Sequence, residues 1–144
     1  GLSAELGAII TGADEEEITL LRDFGRKIGR AFQIQDDILE IFSDIKTMGK
    51  SLESDLVLGK KTFLMVKAEN DNPGFINEVN KIISRDYQTG IIEVRKMFLD
   101  NGVYDKGKSL INENIKQANG ILKNFNYDTE GLQYFSDLIE DREF

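Results

Sequence analysis

The chain has 144 residues, of which 40% are hydrophobic and 31% charged, and its formal net charge at pH 7 is −8. A chain of this length can bury about two-thirds of the surface that it exposes when unfolded, which is enough for one domain. The acidic charge argues against nucleic-acid binding, which needs a clustered basic surface. There is no cysteine and no histidine, so disulfides, thiolate chemistry and histidine catalysis are excluded within this chain. Its chemistry must use carboxylates, lysines, hydroxyls or metal-bound water.

Helical periodicity begins with the first residues, where Leu2, Leu6, Ile9 and Ile10 form an apolar stripe. Because the chain starts at Gly1 inside this pattern, we expect it to be part of a longer protein. Its uninterrupted apolar runs are only a few residues long, so no membrane span is predicted and a cytoplasmic location is expected.

A second, longer helix is predicted over Glu15–Phe42. Gly12 is expected to end the first helix in the left-handed conformation, and Asp14 with Glu17 forms a capping-box pattern. The face expected to meet the core carries Leu20, Leu21, Phe24, Ile28, Ala31, Phe32, Ile38, Leu39 and Phe42. The opposite face, expected to carry the chemistry, has Arg26, Gly29, Arg30, Gln33, Asp36, Asp37, Glu40 and Asp44. Gly25, like Gly29, lowers helix propensity, which favours a close helix contact or a need for space near the acids.

The adjacent carboxylates of Asp36 and Asp37 are followed one helical turn later by Glu40. Because positions three and four apart share a helix face, we expect Gln33 and the three acids to point the same way. Like charges at this spacing destabilise a helix by roughly a few tenths of a kcal/mol unless a cation lies between them. No lysine or arginine of this helix has the spacing to compensate, so the positive charge is expected to come from elsewhere.

The helical period lapses from Ser43 to Gly59, and a loop of this length inside a compact domain is usually functional or disordered. No stretch alternates apolar and polar residues long enough to predict a strand, so we predict an all-α fold. A helix is predicted over Thr62–Glu69, and the next is predicted to have Asn72 as its cap, Pro73 at its first position and its end at about Arg85. Three further helices are predicted, one from a cap at Thr89 to Asn101-Gly102, one over Val103–Phe125 and one from Thr129 to the end.

The acids and the following lysines suit one kind of ligand. Carboxylates bind hard cations, and Mg²⁺ typically takes one or two protein carboxylates while it keeps waters and binds substrate phosphates. An acidic face followed by a loop with Lys50 and Lys60 is therefore typical of a magnesium diphosphate site, with Asp55 as an outer-shell ligand. The spacing alone equally allows a second interpretation, in which the three acids form a solvated helix face and the lysines belong to a polar loop.

The stretch from Gly29 to Ala68 resembles the second aspartate-rich region of the trans-isoprenyl diphosphate synthases. This all-α family includes farnesyl, geranylgeranyl and longer polyprenyl diphosphate synthases. The matching features are the Phe-Gln-x-x-Asp-Asp-x-x-acid run of Phe32–Glu40, the Gly49-Lys50 pair, Ser54-Asp55, and Gly59-Lys60 with Thr62. The resemblance extends more loosely over the whole chain. It implies an antiparallel helical bundle of the isoprenoid synthase type, with residues 1–144 as a single helical domain fragment, the C-terminal half of a polyprenyl synthetase domain.

What the resemblance implies is a Mg²⁺-dependent condensation of an allylic prenyl diphosphate with isopentenyl diphosphate, carried out by a homodimer. In this family, Mg²⁺ ions held between two aspartate-rich motifs bind the allylic diphosphate and help to ionise it. For this sequence the resemblance implies that Asp36, Asp37, Glu40 and Asp55 bind metal and that Asp36, Asp37, Lys50 and Lys60 have catalytic roles. It also implies that Lys50 and Lys60 bind the diphosphate and that Phe32 and Gln33 contact the prenyl chain.

Two departures from the family pattern limit this expectation. Glu40 stands where the family most often has aspartate, which alters the geometry of metal binding. The first aspartate-rich motif is absent from this chain, so we expect no turnover by the chain alone. A second function is a non-catalytic regulatory small subunit that binds a catalytic synthase. A third is a terpene cyclase of the same fold, which the paired Asp36 and Asp37 disfavour.

Overall fold

The computed structural model of the chain describes residues 1–42 and 60–140, without the side chains of Tyr87 and Gln88. These ranges contain seven helices and no strand, which confirms the all-α prediction for them. None of the helices in this part of the chain is both long and apolar enough to cross a membrane. The helices are α1 (Leu2–Thr11), α2 (Glu15–Phe42), α3 (Phe63–Asp71), α4 (Phe75–Arg85), α5 (Tyr87–Asp100), α6 (Val103–Leu122) and α7 (Glu130–Glu140).

The turn between α1 and α2 has the predicted form. Gly12 ends α1 in the left-handed conformation, with φ of 78°. The Glu17 amide donates to Asp14 Oδ1 at 2.9 Å, and the Asp14 amide donates to Glu17 Oε2 at 3.3 Å. This reciprocal pair is the capping box, and it satisfies two amides that the first turn of α2 leaves without partners. The predicted start of α2 at Glu15 is confirmed, and the helix extends through Phe42, the last described residue before Lys60.

The helix predicted to begin at Pro73 begins instead at Phe75, so this prediction is wrong. Pro73 lies in a turn in which Gly74 takes a positive φ of 99°. The Glu69 carboxylate of α3 accepts hydrogen bonds from the amides of Gly74, at 3.0 Å, and Ile76, at 2.8 Å. A carboxylate from the preceding helix therefore caps α4 in place of a neighbouring side chain.

The prediction that Thr89 caps the next helix is also wrong, because α5 begins at Tyr87 and Thr89 lies in its first turn. The Thr89 hydroxyl donates to the Asp86 carboxylate at 2.6 Å instead of accepting from a backbone amide. Asp86 directly precedes the helix, where a negative charge is favoured by the helix dipole. The end of α5 at Asp100, followed by Gly102 with φ of 65°, agrees with the prediction.

The described residues fall into two compact units, and the domain prediction for residues 1–144 stays a prediction. The first unit contains Gly1–Gln35 and the described residues from Ser109 onward, and the second contains the described residues of Asp36–Lys108. The core of the first unit is formed by Phe24, Ala118 and Leu122, with Ile28, Ile121, Phe125 and Leu132 packed against it. In the second unit the fully buried Phe98 ring packs against Phe42 and Phe75, with ring centroids 6.5 and 5.0 Å away.

Candidate functional site

The two faces of α2 are not divided as the sequence pattern predicts. Phe32 was expected in the core, yet 45% of it is exposed. Asp37 was expected on the polar face, yet only 5% of it is exposed. The helical period explains the burial, because Asp37 lies three residues after Ile34 and four residues before Ile41, both of which are buried. These two expectations are therefore wrong, and the motif acids do not share one exposed face.

The buried Asp37 carboxylate lies at the start of α3. Its Oδ2 accepts a hydrogen bond from the Phe63 amide at 2.7 Å. Phe63 is the first residue of α3, so its amide has no partner within the helix. Thr62 provides a second cap, since its hydroxyl accepts from the Met65 amide at 3.3 Å. The acid-bearing end of α2 is thus joined to α3 by a carboxylate at the positive end of a helix dipole.

Asp36 and Glu40 have the chemistry that a magnesium site needs. Both are partly exposed, and they lie four residues apart on one face of α2. In residues 1–42 and 60–140, no three acidic side chains lie close enough together to hold a metal ion. Because Mg²⁺ usually takes one or two protein carboxylates and completes its shell with water, the pair fits this ion. Asp55 lies outside the described residues, and the metal roles of these acids and of Asp37 stay predictions.

The end of α2 is held by a residue that the sequence did not single out. Arg95 of α5 donates a hydrogen bond from Nε to the Ile41 carbonyl at 2.6 Å. This carbonyl belongs to the last described turn of α2. The Phe42 ring contacts both Phe98 and Tyr104 edge-on, the latter at a centroid distance of 4.7 Å. A hydrogen bond and ring packing therefore hold the last described residues of the acid-bearing helix.

The predicted substrate-binding residues have different surroundings. Lys60 is exposed, and its carbonyl accepts from the Thr62 amide at 3.0 Å in the turn before α3. Lys50 lies outside the described residues. Gln33 is exposed, whereas the neighbouring Gln35 is buried with 2% of its surface accessible. The buried Gln35 was missed in the sequence because a polar amide side chain gives no signal of burial.

The first unit contains an apolar cavity of about 590 Å³ beside Phe32. A Cβ at Gly29 would meet no described atom within 4 Å, so this glycine adds to the open space. At Gly25 an added Cβ would lie 2.9 Å from the Gly1 Cα, which confirms the close helix contact predicted for Gly25. The cavity is lined by Gly25, Ile28, Gly29, Phe32, Phe135, Leu138 and Ile139, none of which is polar.

The chain belongs to the polyprenyl synthetase family, since the model of that family matches residues 1–98. The geranylgeranyl diphosphate synthase of Sulfolobus acidocaldarius is 29% identical over 142 residues, which cover 94% of this chain and 43% of the relative. The crystal structure of geranylgeranyl pyrophosphate synthetase from Pyrococcus horikoshii has a TM-score of 0.84 at 30% identity, and the match covers 98% of this chain and 44% of the chain in that structure.

A third relative is the polyprenyl synthase of Caulobacter crescentus, solved in complex with calcium and isoprenyl diphosphate. Its TM-score is 0.76 at 26% identity, and the match covers 96% of this chain and 44% of that structure. These structures confirm the predicted fold of the isoprenoid synthase type, and the family predicted from Gly29–Ala68 is confirmed as well. The chain spans less than half the length of each of the three relatives.

Proposed function

We propose that this chain is part of a prenyl diphosphate synthase that condenses an allylic prenyl diphosphate with isopentenyl diphosphate. The observation that carries the proposal is the partly exposed Asp36 and Glu40 pair on α2 in a member of the polyprenyl synthetase family. In the reaction the allylic C–O bond breaks and its electron pair leaves with the diphosphate. The isopentenyl double bond then forms the new C–C bond, and a proton is lost.

The acids serve the leaving group in this proposal. Asp36 and Glu40 would hold Mg²⁺ together with Asp55, and Asp37 belongs to the same motif. When bound, Mg²⁺ neutralises the charge of the diphosphate. Because negative charge accumulates on the diphosphate as the C–O bond breaks, cations held beside it stabilise the transition state more than the ground state. The calcium and isoprenyl diphosphate in the Caulobacter crescentus structure support this assignment.

The lysines and the apolar cavity serve the two ends of the substrate. Lys50 and Lys60 bind the diphosphate, as point charges that can each donate several hydrogen bonds. Phe32 and Gln33 contact the prenyl chain. The cavity beside Phe32 supports this role, since its volume of about 590 Å³ and its apolar walls suit a hydrocarbon ligand. Gly29 keeps that space open.

The remainder of the enzyme belongs to the proposal too. The chain spans less than half of its relatives, so we propose that it has no turnover alone and acts with the portion that the relatives carry in addition. Homodimerisation and a cytoplasmic location complete the proposal.

A chimaeric enzyme tests this function. In the chimaera, this chain replaces the segment that it matches in the Sulfolobus acidocaldarius geranylgeranyl diphosphate synthase. We expect the chimaera to incorporate radiolabelled isopentenyl diphosphate into a longer prenyl diphosphate with Mg²⁺, and the chain alone to incorporate none. The substitution Asp36→Ala should lower incorporation by about a thousandfold or more, because it removes charge stabilisation from the transition state. Unchanged turnover in this variant would contradict the proposed role of the acids.

A further inference from the structure

Asp37 differs from the other acids of its motif in burial. Only 5% of Asp37 is exposed, whereas Asp36 and Glu40 are partly exposed. It lies in the stripe of α2 that includes Ile38 and Ile41, both of which are buried. A carboxylate in such a stripe is stable only when hydrogen-bond donors compensate for the water that it has lost. The donors around Asp37 therefore indicate what its carboxylate does.

One donor to Asp37 is the backbone amide of Phe63, at the start of α3. Asp37 Oδ2 lies 2.7 Å from the Phe63 nitrogen, a short distance typical of a charge-assisted hydrogen bond. The cap formed by Thr62 has a different consequence, because the Thr62 hydroxyl accepts from the backbone amide of Met65, which belongs to the same helix. The Thr62 cap is internal to α3, whereas the Asp37 contact joins α3 to α2. Loss of either cap weakens α3, and loss of Asp37 also removes this hydrogen bond between α3 and α2.

The hydrogen bond between Asp37 and Phe63 lies close in sequence to Lys60, a residue proposed to bind the diphosphate. Lys60 precedes Phe63 by three residues, and the Thr62 amide donates to the Lys60 carbonyl at 3.0 Å. Three residues span at most roughly 10 Å, so the Asp37 contact restricts where the Lys60 main chain can lie relative to Asp36. We propose that Asp37 is a positioning residue that places Lys60 by holding the Phe63 amide. This inference rests on the proposed function, in which Lys60 binds the diphosphate.

Amide hydrogen exchange in this chain tests the contact itself. We expect Asp37→Ala to raise the exchange rate of the Phe63 amide about tenfold or more, because its hydrogen bond is lost. Asp37→Asn keeps an acceptor oxygen and should leave this rate within about threefold of the original. Asp36→Asn is the matched control at the adjacent acid, and it should not change Phe63 exchange. An unchanged Phe63 rate in Asp37→Ala would overturn the proposal.

Binding of inorganic pyrophosphate with Mg²⁺, measured by calorimetry, tests the link to Lys60. We expect Lys60→Gln and Asp37→Ala each to weaken binding about tenfold. The double variant should bind magnesium pyrophosphate no more weakly than the weaker of the two single variants does, because Asp37 acts through Lys60. Thr62→Ala also weakens α3 and should stay within about twofold. Additive losses in the double variant, or an equal loss in Thr62→Ala, would overturn the positioning role.

The variant Asp37→Asn keeps the test decisive if Asp37→Ala does not fold. A positioning role predicts that Asp37→Asn binds magnesium pyrophosphate within about threefold of the original chain, whereas Asp36→Asn weakens binding about tenfold. Equal weakening by the two asparagine substitutions would show that Asp37 acts through its charge, and would overturn the proposal. If Asp36→Asn binds as well as the original chain, the proposed function fails instead, and Phe63 exchange still decides the role of Asp37.

Discussion

The two compact units expose different chemistry. In the first unit, large apolar side chains are exposed on α1 and α7, including Leu2, Ile10 and Phe135. The same unit has the apolar cavity beside Phe32. An apolar cavity of this kind usually marks a binding site. The first unit therefore has the chemistry to contact a hydrocarbon ligand or further helices.

In the second unit, charged side chains hold the ends of helices. Glu69 caps the start of α4, and Arg95 caps the end of α2. Asp71 accepts from Lys67 and from Lys106 of α6, each at 2.9 Å. Such contacts fix helix ends and backbone turns more strictly than apolar packing does, because hydrogen bonds depend on direction. The first unit has charged caps as well, at Asp14 and Glu17, so the difference lies in the apolar cavity of the first unit and in the charged contacts between different helices next to the acids in the second.

The largest expected effect is on the free energy of unfolding, and it compares a buried ring of the second unit with a partly exposed ring of the first. Phe98→Ala in the second unit should lower the free energy of unfolding by about 3–5 kcal/mol, because a fully buried ring is lost. Phe32→Ala in the first unit should lower it less, by about 1 kcal/mol, since 45% of Phe32 is exposed and only part of its apolar surface is buried. Urea unfolding followed by circular dichroism measures both. An equally large loss at Phe32 would mean that its ring is part of a core and not of an open cavity wall.

A pair of glycines in α2 gives a smaller effect of opposite sign. Gly25→Ala should destabilise the chain by about 1–3 kcal/mol, because the new Cβ would lie 2.9 Å from the Gly1 Cα. Gly29→Ala should stabilise it by up to about 1 kcal/mol, since alanine favours the helix and meets no described atom within 4 Å. Thermal unfolding compares the two variants directly. The same sign of change at both positions would contradict the close contact at Gly25.

The smallest effect concerns the partly exposed carboxylate that caps α4. The Ile76 and Gly74 amides lower the pKa of Glu69 from its ordinary value of 4.5. The unfolded chain therefore binds a proton at higher pH than the folded chain does. The stabilisation is fully present above pH 4.5 and is lost as the pH falls through the lower folded pKa.

Melting temperatures between pH 7 and pH 3 test this dependence against Glu69→Gln. The original chain should melt higher than the variant at neutral pH, and the difference should shrink on acidification below about pH 4.5. A difference that stays constant over this range would mean that the charge of Glu69 does not contribute to the cap.

Short-range patterns in the sequence predicted the local structure well. The Asp14 and Glu17 capping box and the left-handed Gly12 involve residues within a few positions of one another, so their chemistry is readable along the chain. The predicted helix start at Pro73 was wrong because the Glu69 carboxylate of the preceding helix supplies the cap of α4. The predicted start at Thr89 was wrong because α5 begins at Tyr87, directly after Asp86.

By itself, the sequence determined the helical class, the start of α2 and the family, because helical period and motif spacing depend on residues close together in the chain. Only the tertiary structure decided which motif acid is buried and what holds the end of α2. Asp37 contacts an amide 26 residues away, and Arg95 contacts a carbonyl 54 residues away. Periodicity places side chains on a helix face, but the elements that pack against this face decide whether a charge there meets solvent or a backbone donor.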